Sequence, residues 1–390
     1  MIDGRAAFDL PAGVRYLNCA YMSPLPRVVA EAGRAGIERQ LDPSRITAPD
    51  FFEEPDAVRR AFARLVDTPE AAAVAIIPAA SYGIGTVAAN VDVSAGQNLV
   101  LTAEQFPSNA YPWRSLARRR GAEVRAVAPP PSGVGRAAAW NAEILAAIDE
   151  VTAVVAVPAF HWTDGSRFDL AAVGDRAREV GALFVVDGSQ SVGAVPFSVR
   201  EIAPDALVCV GYKWLLGPYS IGVAWFGERL VDGRPLEETW ISRPGSEDFR
   251  RVADYRDELR PGADRFDVGE RANFTLVPML RAALELVLTW SPGAIEAYCE
   301  SLTADFCREV VDLGIEVEDP AWRAAHLVGL RLPAGIDIDG LHRELTRRRI
   351  HVALRGSALR VSPHLYNDPS DLEALREVLR AACRRDGSGG

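Results

Sequence analysis

Apolar residues in the first two thirds of the chain fall into short runs, and stretches with helical spacing separate them. Each run is followed by Gly, Pro or polar residues, which is typical of a buried strand rather than a buried helix. The runs are VAIIP at 74–78, NLVLT at 98–102, TAVVAV at 152–157, ALFVVD at 182–187, ALVCVG at 206–211 and GVAWF at 222–226. Helical spacing is found at 28–40 and 57–66, in the stretch that follows VAIIP, and in RSLARRRG at 114–121. This alternation predicts an open α/β sheet.

The last third of the chain has a different order of elements. A polar, irregular segment at 227–264 predicts loops, and residues 276–313 predict two helices with a break at Ser291 and Pro292. Beyond them the pattern is HLVGLRLP (strand), IDGLHRELTRRR (helix), IHVALRG (strand), ALRVSPHLYN (strand) and a helix from Pro369 onward. This order predicts a small α+β unit.

Two charged residues stand at the ends of neighbouring predicted strands. Asp187 ends ALFVVD, and Lys213 follows ALVCVG within a group of aromatic and apolar residues. Ligands bind outside the carboxyl ends of strands in an open α/β sheet, so both side chains are expected to face one crevice. A poorly solvated lysine favours its neutral amine and can form a Schiff base. The alternative is a structural salt bridge between the two residues.

The residues around this pair resemble a known family. VVDGSQSVGAVP, PDALVCVGYKWLLGP and GVAWF, in that order, resemble the cofactor core of the class V aminotransferase and cysteine desulfurase superfamily of pyridoxal phosphate (PLP) enzymes, fold type I. The resemblance implies that Asp187 contacts the pyridine nitrogen, Gln190 contacts the ring hydroxyl and Lys213 forms the Schiff base. Asp187 and Lys213 are 26 residues apart, as the family pattern requires.

The resemblance also implies an architecture. It predicts a fold type I α/β protein with a seven-stranded, mostly parallel sheet and a smaller α+β C-terminal domain. The expected divisions are an N-terminal segment at 1–20, a large PLP-binding domain at 21–270 and a small domain at 271–390. It further implies a homodimer with shared active sites.

Further cofactor contacts follow from the resemblance. Ala80 (backbone) and Ser81 (hydroxyl) are expected to hold the phosphate, and Phe106 replaces the family's ring-stacking histidine. The stretch His161 to Gly165, H-W-T-D-G, resembles isopenicillin N epimerase-like members and makes His161 a candidate contact. The remaining expected contacts are Tyr212 beside the lysine, and Arg271 or Asn273 in place of a partner-subunit threonine.

A rival interpretation concerns the helix that follows VAIIP. Gly83, Gly85 and Ala88 spell G-x-G-x-x-A, and Glu104 ends the next strand, which are signs of a dinucleotide-binding fold. Both interpretations use a helix start to hold an anion. A three-residue glycine pattern arises often by chance, whereas the Asp187, Gln190 and Lys213 set does not, so PLP is the predicted cofactor.

The substrate side is predicted from the C-terminal strands and the N-terminal segment. ALRVSPHLYN resembles the segment whose arginine binds the substrate carboxylate, which assigns that role to Arg360. Arg355 is the second candidate, and Tyr21 is expected at the mouth of the site. A guanidinium group binds a carboxylate in a bidentate geometry, so an amino-acid-like substrate is expected.

The absence of a cysteine near these strands argues against the persulfide mechanism of cysteine desulfurases. Cysteine desulfurases keep a nucleophilic cysteine in a long loop between these two strands, whereas here only Gly356 and Ser357 separate VALR from ALRV. Transamination is the predicted reaction. Epimerisation, a β-eliminating C–S lyase without a persulfide cysteine, and a PLP-binding regulator without turnover are the alternatives.

Composition excludes several classes of partner. The 390 residues are 48% hydrophobic and carry a net charge of −10, so nucleic acid and anionic membrane surfaces are not expected partners. The start of the chain lacks the pattern of a signal peptide, and no apolar stretch approaches the length of a membrane span, which predicts a cytoplasmic protein. Five scattered cysteines predict neither a disulfide framework nor a metal site.

Overall fold

A seven-stranded sheet organises the first two thirds of the chain in the computed structural model, which describes residues 4–131, 133, 135–355 and 358–386. The strands are β1 (Arg15–Tyr16), β2 (Val74–Ile77), β3 (Asn98–Thr102), β4 (Glu123–Val127), β5 (Thr152–Pro158), β6 (Leu183–Asp187), β7 (Ala206–Val210), β8 (Gly222–Phe226), β9 (Val328–Arg331), β10 (Ile350–His351), β11 (Ala353–Arg355) and β12 (Ala358–Val361). The helices are α1 (Arg27–Leu41), α2 (Glu53–Leu65), α3 (Ala80–Ala89), α4 (Tyr111–Arg120), α5 (Arg136–Ala147), α6 (Leu170–Glu179), α7 (Val199–Ile202), α8 (Leu276–Trp290), α9 (Pro292–Val311), α10 (Ile338–Arg347) and α11 (Pro369–Asp386).

The large sheet has the strand order β2-β8-β7-β6-β5-β3-β4. Strands β4, β3, β5, β6 and β7 are parallel to one another, and β8 runs antiparallel to both β7 and β2. This is the seven-stranded, mostly parallel sheet that the sequence predicts. Strands β6 and β7 are direct neighbours, so their carboxyl ends open on the same edge of the sheet.

Both faces of this sheet are covered, which explains the continuous apolar runs. Along β6, Leu183 and Val185 join the hydrophobic core beneath α3 and α4, whereas Phe184 and Val186 join the opposite core, which includes residues of α2, α6 and α8. Every residue of β6 and β7 is buried. The strand ends are therefore held in a rigid position.

A second, smaller sheet lies in the C-terminal part. Strands β11, β12 and β9 are antiparallel in that order, and they pack with α9, α10 and α11 around a third core that includes Leu330, Leu359 and Leu375. Strand β1 of the N-terminal segment pairs in parallel with β10. The N-terminal segment is thereby joined to the small unit.

Most predicted elements are present, and three helices are found only in the structure. These are α5 and α6, which lie before and after β5, and the single turn α7 between β6 and β7. The 227–264 segment contains a short 3-10 helix at Phe249–Arg251, and a second one, Ala263–Phe266, begins at its end. The break between α8 and α9 falls at Ser291, which has a positive φ of 62° and whose Oγ accepts a hydrogen bond from the Ala294 amide. The predicted short connection at Gly356 and Ser357 lies outside the described residues. Within the described ranges, no helix combines the length and apolar character that a membrane span requires.

Candidate active site

The site is built on the carboxyl ends of β6 and β7. Asp187 is the last residue of β6, and its Oδ1 accepts a hydrogen bond from the Ser189 amide at 3.0 Å. Lys213 lies in the turn after β7, which is closed by the Leu216 amide donating to the Lys213 carbonyl and the Gly217 amide donating to the Gly211 carbonyl. This turn directs a lysine into the same crevice as the carboxylate, as expected.

Lys213 is buried, with only 6% of its surface exposed. The pKa of its amine is lowered to about 8: burial is the largest cause, the positive charges of Arg360 and Arg355 act in the same direction, and the Asp187 carboxylate acts in the opposite direction. No carboxylate of the described residues lies within ion-pair distance of the amine, so the structure does not contain the alternative salt bridge with Asp187. The amine lies 5.1 Å from the centre of the Phe106 ring. The lowered pKa gives Lys213 a larger fraction of neutral amine near neutral pH than an exposed lysine has.

Gln190 is held in one orientation by neighbours that the sequence does not identify. Its Oε1 accepts a hydrogen bond from the Trp214 indole at 2.8 Å, and its Nε2 donates to the Ala20 carbonyl at 3.1 Å. The buried His326 ring lies against Trp214 and contacts the Gln190 carbonyl at 2.7 Å. Gln190 lines the crevice, and the second hydrogen of its amide NH2 group makes no hydrogen bond with the described residues.

The crevice around Lys213 gathers residues from several strand ends. Its lining includes Ala80, Gln105, Phe106, Trp162, Asp187, Ser189, Gln190, Tyr212 and Lys213. Ala80 is the first residue of α3, where backbone N–H groups have no partner within the helix and can bind an anion. Ser81 follows it and is exposed. The structure thus brings the helix start, the ring of Phe106 and the Asp187–Lys213 pair together.

The glycines of the dinucleotide-like pattern have a packing role. Gly83 lies inside α3, where an added Cβ would approach a side-chain methyl of Val208 on β7 to 2.9 Å. The glycine therefore allows α3 to pack closely on the sheet. Neither Gly83 nor Gly85 lines the crevice.

The crevice continues into a cavity of about 360 Å³ on the substrate side. Three tyrosines, Trp162 and Lys213 contribute to its wall, together with Arg355 and Arg360. The predicted residues are Tyr21, Tyr212, Arg355 and Arg360, whereas Trp162 and Tyr219 are additions from the structure. This volume is within the range of cavities that bind small molecules.

The structure places the side chain of His161 away from the crevice and the cavity. It is buried against the Trp140 ring and its Nδ1 contacts the Thr163 hydroxyl at 2.7 Å, and it lines neither the crevice nor the cavity. Burial lowers the pKa of its imidazole. The neighbouring residue, Trp162, faces the site instead and packs edge-on against Phe106. The feature of the sequence that could have identified Trp162 is its position shortly after the end of β5.

Arg271 and Asn273 lie away from the crevice in this chain. The Arg271 guanidinium is buried and donates to Asp267 at 2.7 Å and to Asp264 at 3.2 Å. Asp267 also binds Arg59. Asn273 caps α8 by accepting hydrogen bonds from the amides of Thr275 and Leu276. Both side chains therefore form hydrogen bonds that stabilise the fold of this chain.

A separate cavity of about 420 Å³ lies in the loop segment 238–256. It shares no residue with the crevice or with the cavity around Lys213. Trp240 forms part of its wall and packs edge-on against Phe51 and Phe249. None of the predicted site residues lies there, so the chemistry is assigned to the Lys213 site.

The donors at the Lys213 site match the chemical groups of PLP. A buried amine with a low pKa suits an aldehyde, a carboxylate at a strand end suits a protonated ring nitrogen, and a helix start suits a phosphate. Lys213 is also the only lysine in the 390-residue chain. Lys213 is therefore the only side chain of the sequence that can form a Schiff base with the aldehyde of PLP.

Comparison with known proteins gives the same family. A family model described as aminotransferase class-V matches residues 47–375. Isopenicillin N epimerase of Amycolatopsis lactamdurans is 27% identical over 401 aligned positions, which cover 97% of each chain. YcbU of Bacillus subtilis, described as an uncharacterized aminotransferase, is 25% identical over 334 residues, which cover 84% of each chain.

Solved structures support the fold. The apo cysteine desulfurase of Thermococcus onnurineus NA1 superposes with a TM-score of 0.80 at 20% identity, over 98% of each chain. A form of the enzyme C-DES with glycine covalently linked to its PLP cofactor superposes with a TM-score of 0.81 at 20% identity, over 96% of this chain and 98% of that one. The predicted fold type I is confirmed. Since the family model spans most of the sequence, the chain belongs to the class V aminotransferase family, whose enzymes depend on pyridoxal phosphate.

Proposed function

We propose that this class V enzyme catalyses transamination of an amino acid. The observation that carries the proposal is one buried amine, Lys213, beside one strand-end carboxylate, Asp187, in a crevice that continues into a cavity with two arginines. When bound, PLP supplies an aldehyde that forms a covalent bond with an amine and a protonated ring that accepts the electron pair from Cα. The residues of the chain hold this group and move protons around it.

Each binding residue has a distinct part. Asp187 would hold the proton at the ring nitrogen, and the free hydrogen of the Gln190 amide would face the ring hydroxyl. The start of α3 at Ala80 and Ser81 would hold the phosphate. The Phe106 ring would lie against the face of the cofactor, where offset aromatic packing contributes about 0.5 to 1.5 kcal/mol. Trp214 and Ala20 support these contacts by fixing Gln190.

Lys213 is the proposed proton carrier. A pKa of about 8 leaves a useful fraction of neutral amine near neutral pH, and this amine can take the Cα proton and return it to a neighbouring atom on the same face. No histidine and no second carboxylate lines the crevice or the cavity in the described part of the chain. A single base is sufficient for transamination, which supports it over a two-base epimerisation.

Arg360 is the proposed anchor for the substrate carboxylate. Its side chain is 1% exposed, and it donates only to neutral oxygens, the Trp162 carbonyl at 2.6 Å and the Asn18 side chain at 3.5 Å. Its Nε is buried with no hydrogen-bond partner in the described residues. A buried guanidinium group without a counter-ion is expected to receive one from the ligand.

A single-turnover assay distinguishes the candidate reactions. The purified holoenzyme is incubated with individual L-amino acids without an acceptor, and products are identified by mass spectrometry. Transamination gives one equivalent of 2-oxo acid per subunit and then stops, whereas a lyase releases ammonia continuously. Absence of any product with every amino acid would instead support a regulator without turnover.

A covalent test uses the single lysine. Borohydride reduction of the holoenzyme should fix a phosphopyridoxyl group on the peptide that contains Lys213, and Lys213→Ala should abolish this label. The α-amino group is the remaining amine of the sequence. A label found there and not on Lys213 would contradict the proposed role.

Epimerisation is a second candidate because an isopenicillin N epimerase matches the chain over 97% of both lengths. The tyrosines of the cavity wall, Tyr21, Tyr212 and Tyr219, are its available second acids. The same assay in D2O tests it. Formation of the deuterated enantiomer without 2-oxo acid would establish epimerisation and exclude transamination.

We also infer a homodimer with shared active sites. Tyr21 and Tyr219 are 56% and 61% exposed at the wall of the cavity, which makes them candidates for contact with a second subunit. Asn273 is exposed and keeps its amide NH2 group available for a partner's phosphate site. Light scattering tests the mass. Mixed dimers of Lys213→Ala and Asn273→Ala subunits should regain activity at one site if the sites are shared.

A further inference from the structure

Two guanidinium groups lie on one face of the β11–β12 hairpin. Ala353 is paired with Arg360 and Arg355 with Ala358, so the alternating side chains of residues 353, 355, 358 and 360 share one face. Arg355 and Arg360 are therefore diagonal neighbours across the two strands. Both line the cavity that contains Lys213.

Trp162 contacts both arginines. Its carbonyl accepts a hydrogen bond from Arg360, and its ring centre lies 5.4 Å from the Arg355 guanidinium. Arg355 also donates to the neighbouring Leu354 carbonyl at 2.9 Å. Each guanidinium group is thereby oriented by neutral groups alone.

Neither arginine has a carboxylate within 4.0 Å among the described residues, unlike other buried arginines of the protein. Arg59 and Arg271, which are 3% and 1% exposed, both pair with Asp267. Two unpaired cations in one cavity repel each other: the pKa of Arg360 is lowered, mainly by burial and then by the nearby charge of Arg355. Two anionic groups of a ligand would therefore meet two positive charges that no carboxylate of the described residues compensates.

We propose that Arg355 binds a second anionic group on the substrate, so that the enzyme acts on an amino acid with an acidic side chain. This inference rests on the proposed function, in which Arg360 takes the α-carboxylate and Lys213 the Cα proton. Arg355 is half-buried and lines the same cavity as Arg360, so it is placed to meet the side chain of a substrate whose carboxylate is bound at Arg360. Arg355 is a specificity-determining residue for this reason.

The test compares matched pairs of ligands that differ in one charge. Dissociation constants of the holoenzyme are measured from changes in cofactor absorption with L-aspartate against L-asparagine, and with L-glutamate against L-glutamine. Calorimetry with glutarate against butyrate gives a second measurement that needs no reaction at the cofactor. Arg355→Gln and Arg355→Lys are compared with Arg343→Gln, a control on the exposed face of α10.

The wild-type enzyme should bind an acidic amino acid about 10- to 100-fold more tightly than its amide, as expected for a hydrogen-bonded charge pair. Arg355→Gln should bring the two constants to within about 2-fold and leave binding of the amide unchanged. Arg355→Lys should keep part of the preference, and Arg343→Gln should keep all of it. A wild-type preference for the amides, or an acidic preference that survives Arg355→Gln, overturns the inference while the proposed function stands.

A failure of the proposed function gives a different experimental result from a failure of this inference. If no amino acid changes the cofactor spectrum, transamination at Lys213 is excluded, and calorimetry alone then decides the inference. A preference for glutarate over butyrate that disappears in Arg355→Gln supports the anion site. Equal binding of the two acids in the wild-type protein overturns it.

Discussion

The amine of Lys213 should titrate near pH 8 in the cofactor-free protein, compared with 10.5 for an ordinary lysine. Burial is the largest cause because the ammonium ion loses its hydration. The positive charges of Arg360 and Arg355 also disfavour the ammonium form, whereas Asp187 favours it. Arg360→Gln should therefore raise this pKa, and Asp187→Asn should lower it.

The size of the effect follows from the change in pKa. A fall from 10.5 to about 8 corresponds to roughly 3 kcal/mol against the ammonium ion. At neutral pH it makes the neutral amine roughly 300-fold more abundant than in an exposed lysine. Each roughly 1.4 kcal/mol of repulsion removed by Arg360→Gln would raise the titration midpoint by one pH unit.

Because the chain has a single lysine, the measurement needs no assignment. Protein labelled with carbon-13 at the lysine ε-carbon gives one side-chain signal, whose chemical shift is followed from neutral to alkaline pH. Arg343→Gln removes the same charge from an exposed helix and should leave the midpoint unchanged. Circular dichroism over the same pH range confirms that the protein stays folded.

A midpoint near 10.5 in the wild-type protein would refute the reasoning, because it would mean that the amine remains hydrated. A midpoint that falls in Arg360→Gln would show that the arginine does not act through repulsion. In either case the crevice would differ in solvent access or charge from the arrangement described above.

Three further predictions test other parts of the site. Asp187→Asn should bind PLP but lose most turnover, because an amide does not hold the ring proton; activity within a few-fold of the parent, measured at saturating substrate, would exclude the role. Arg360→Lys should raise KM and thereby lower kcat/KM by about 10- to 100-fold, while the cofactor spectrum stays unchanged. The reason is that lysine keeps the positive charge but cannot bind a carboxylate with two parallel hydrogen bonds. An unchanged KM would show that Arg360 does not anchor the substrate. Incubation with cysteine should give no persulfide on Cys19, Cys209, Cys299 or Cys307, because these thiols are buried and burial raises their pKa. Alkylation and peptide mapping would reveal a persulfide that turns over on one of them and contradict this.

The central strands could be predicted because both of their faces are buried. A strand such as β6 must be apolar along its whole length, so its pattern stands out in the sequence. Helix α5 gives a weaker signal: it is rich in alanine, and its N-cap is Gly135, which provides no side-chain hydrogen bond. Its position depends on packing beside β3, β4 and α6, which a single segment does not encode.

The site was predictable to the extent that it depends on strand ends. Asp187 and Lys213 follow buried runs directly, so their common crevice can be inferred from the order of elements. The choice between His161 and Trp162 cannot, because it depends on the turn after β5 and on the Trp140 ring that covers the histidine. Arg271 is similar, since its partner Asp267 also binds Arg59 from a distant helix.

The distribution of charge partners distinguishes structural from functional arginines in this protein. Of 43 lysine and arginine residues only one is a lysine, so arginine serves nearly every structural need for a cation. Where arginine is buried for structure, as at Arg59 and Arg271, carboxylates of the chain compensate its charge. At the active site Arg355 and Arg360 are left uncompensated, and an anionic ligand that pairs with them stabilises the folded state by mass action. The energetic cost of those unpaired charges in the free protein is therefore relieved when the ligand binds.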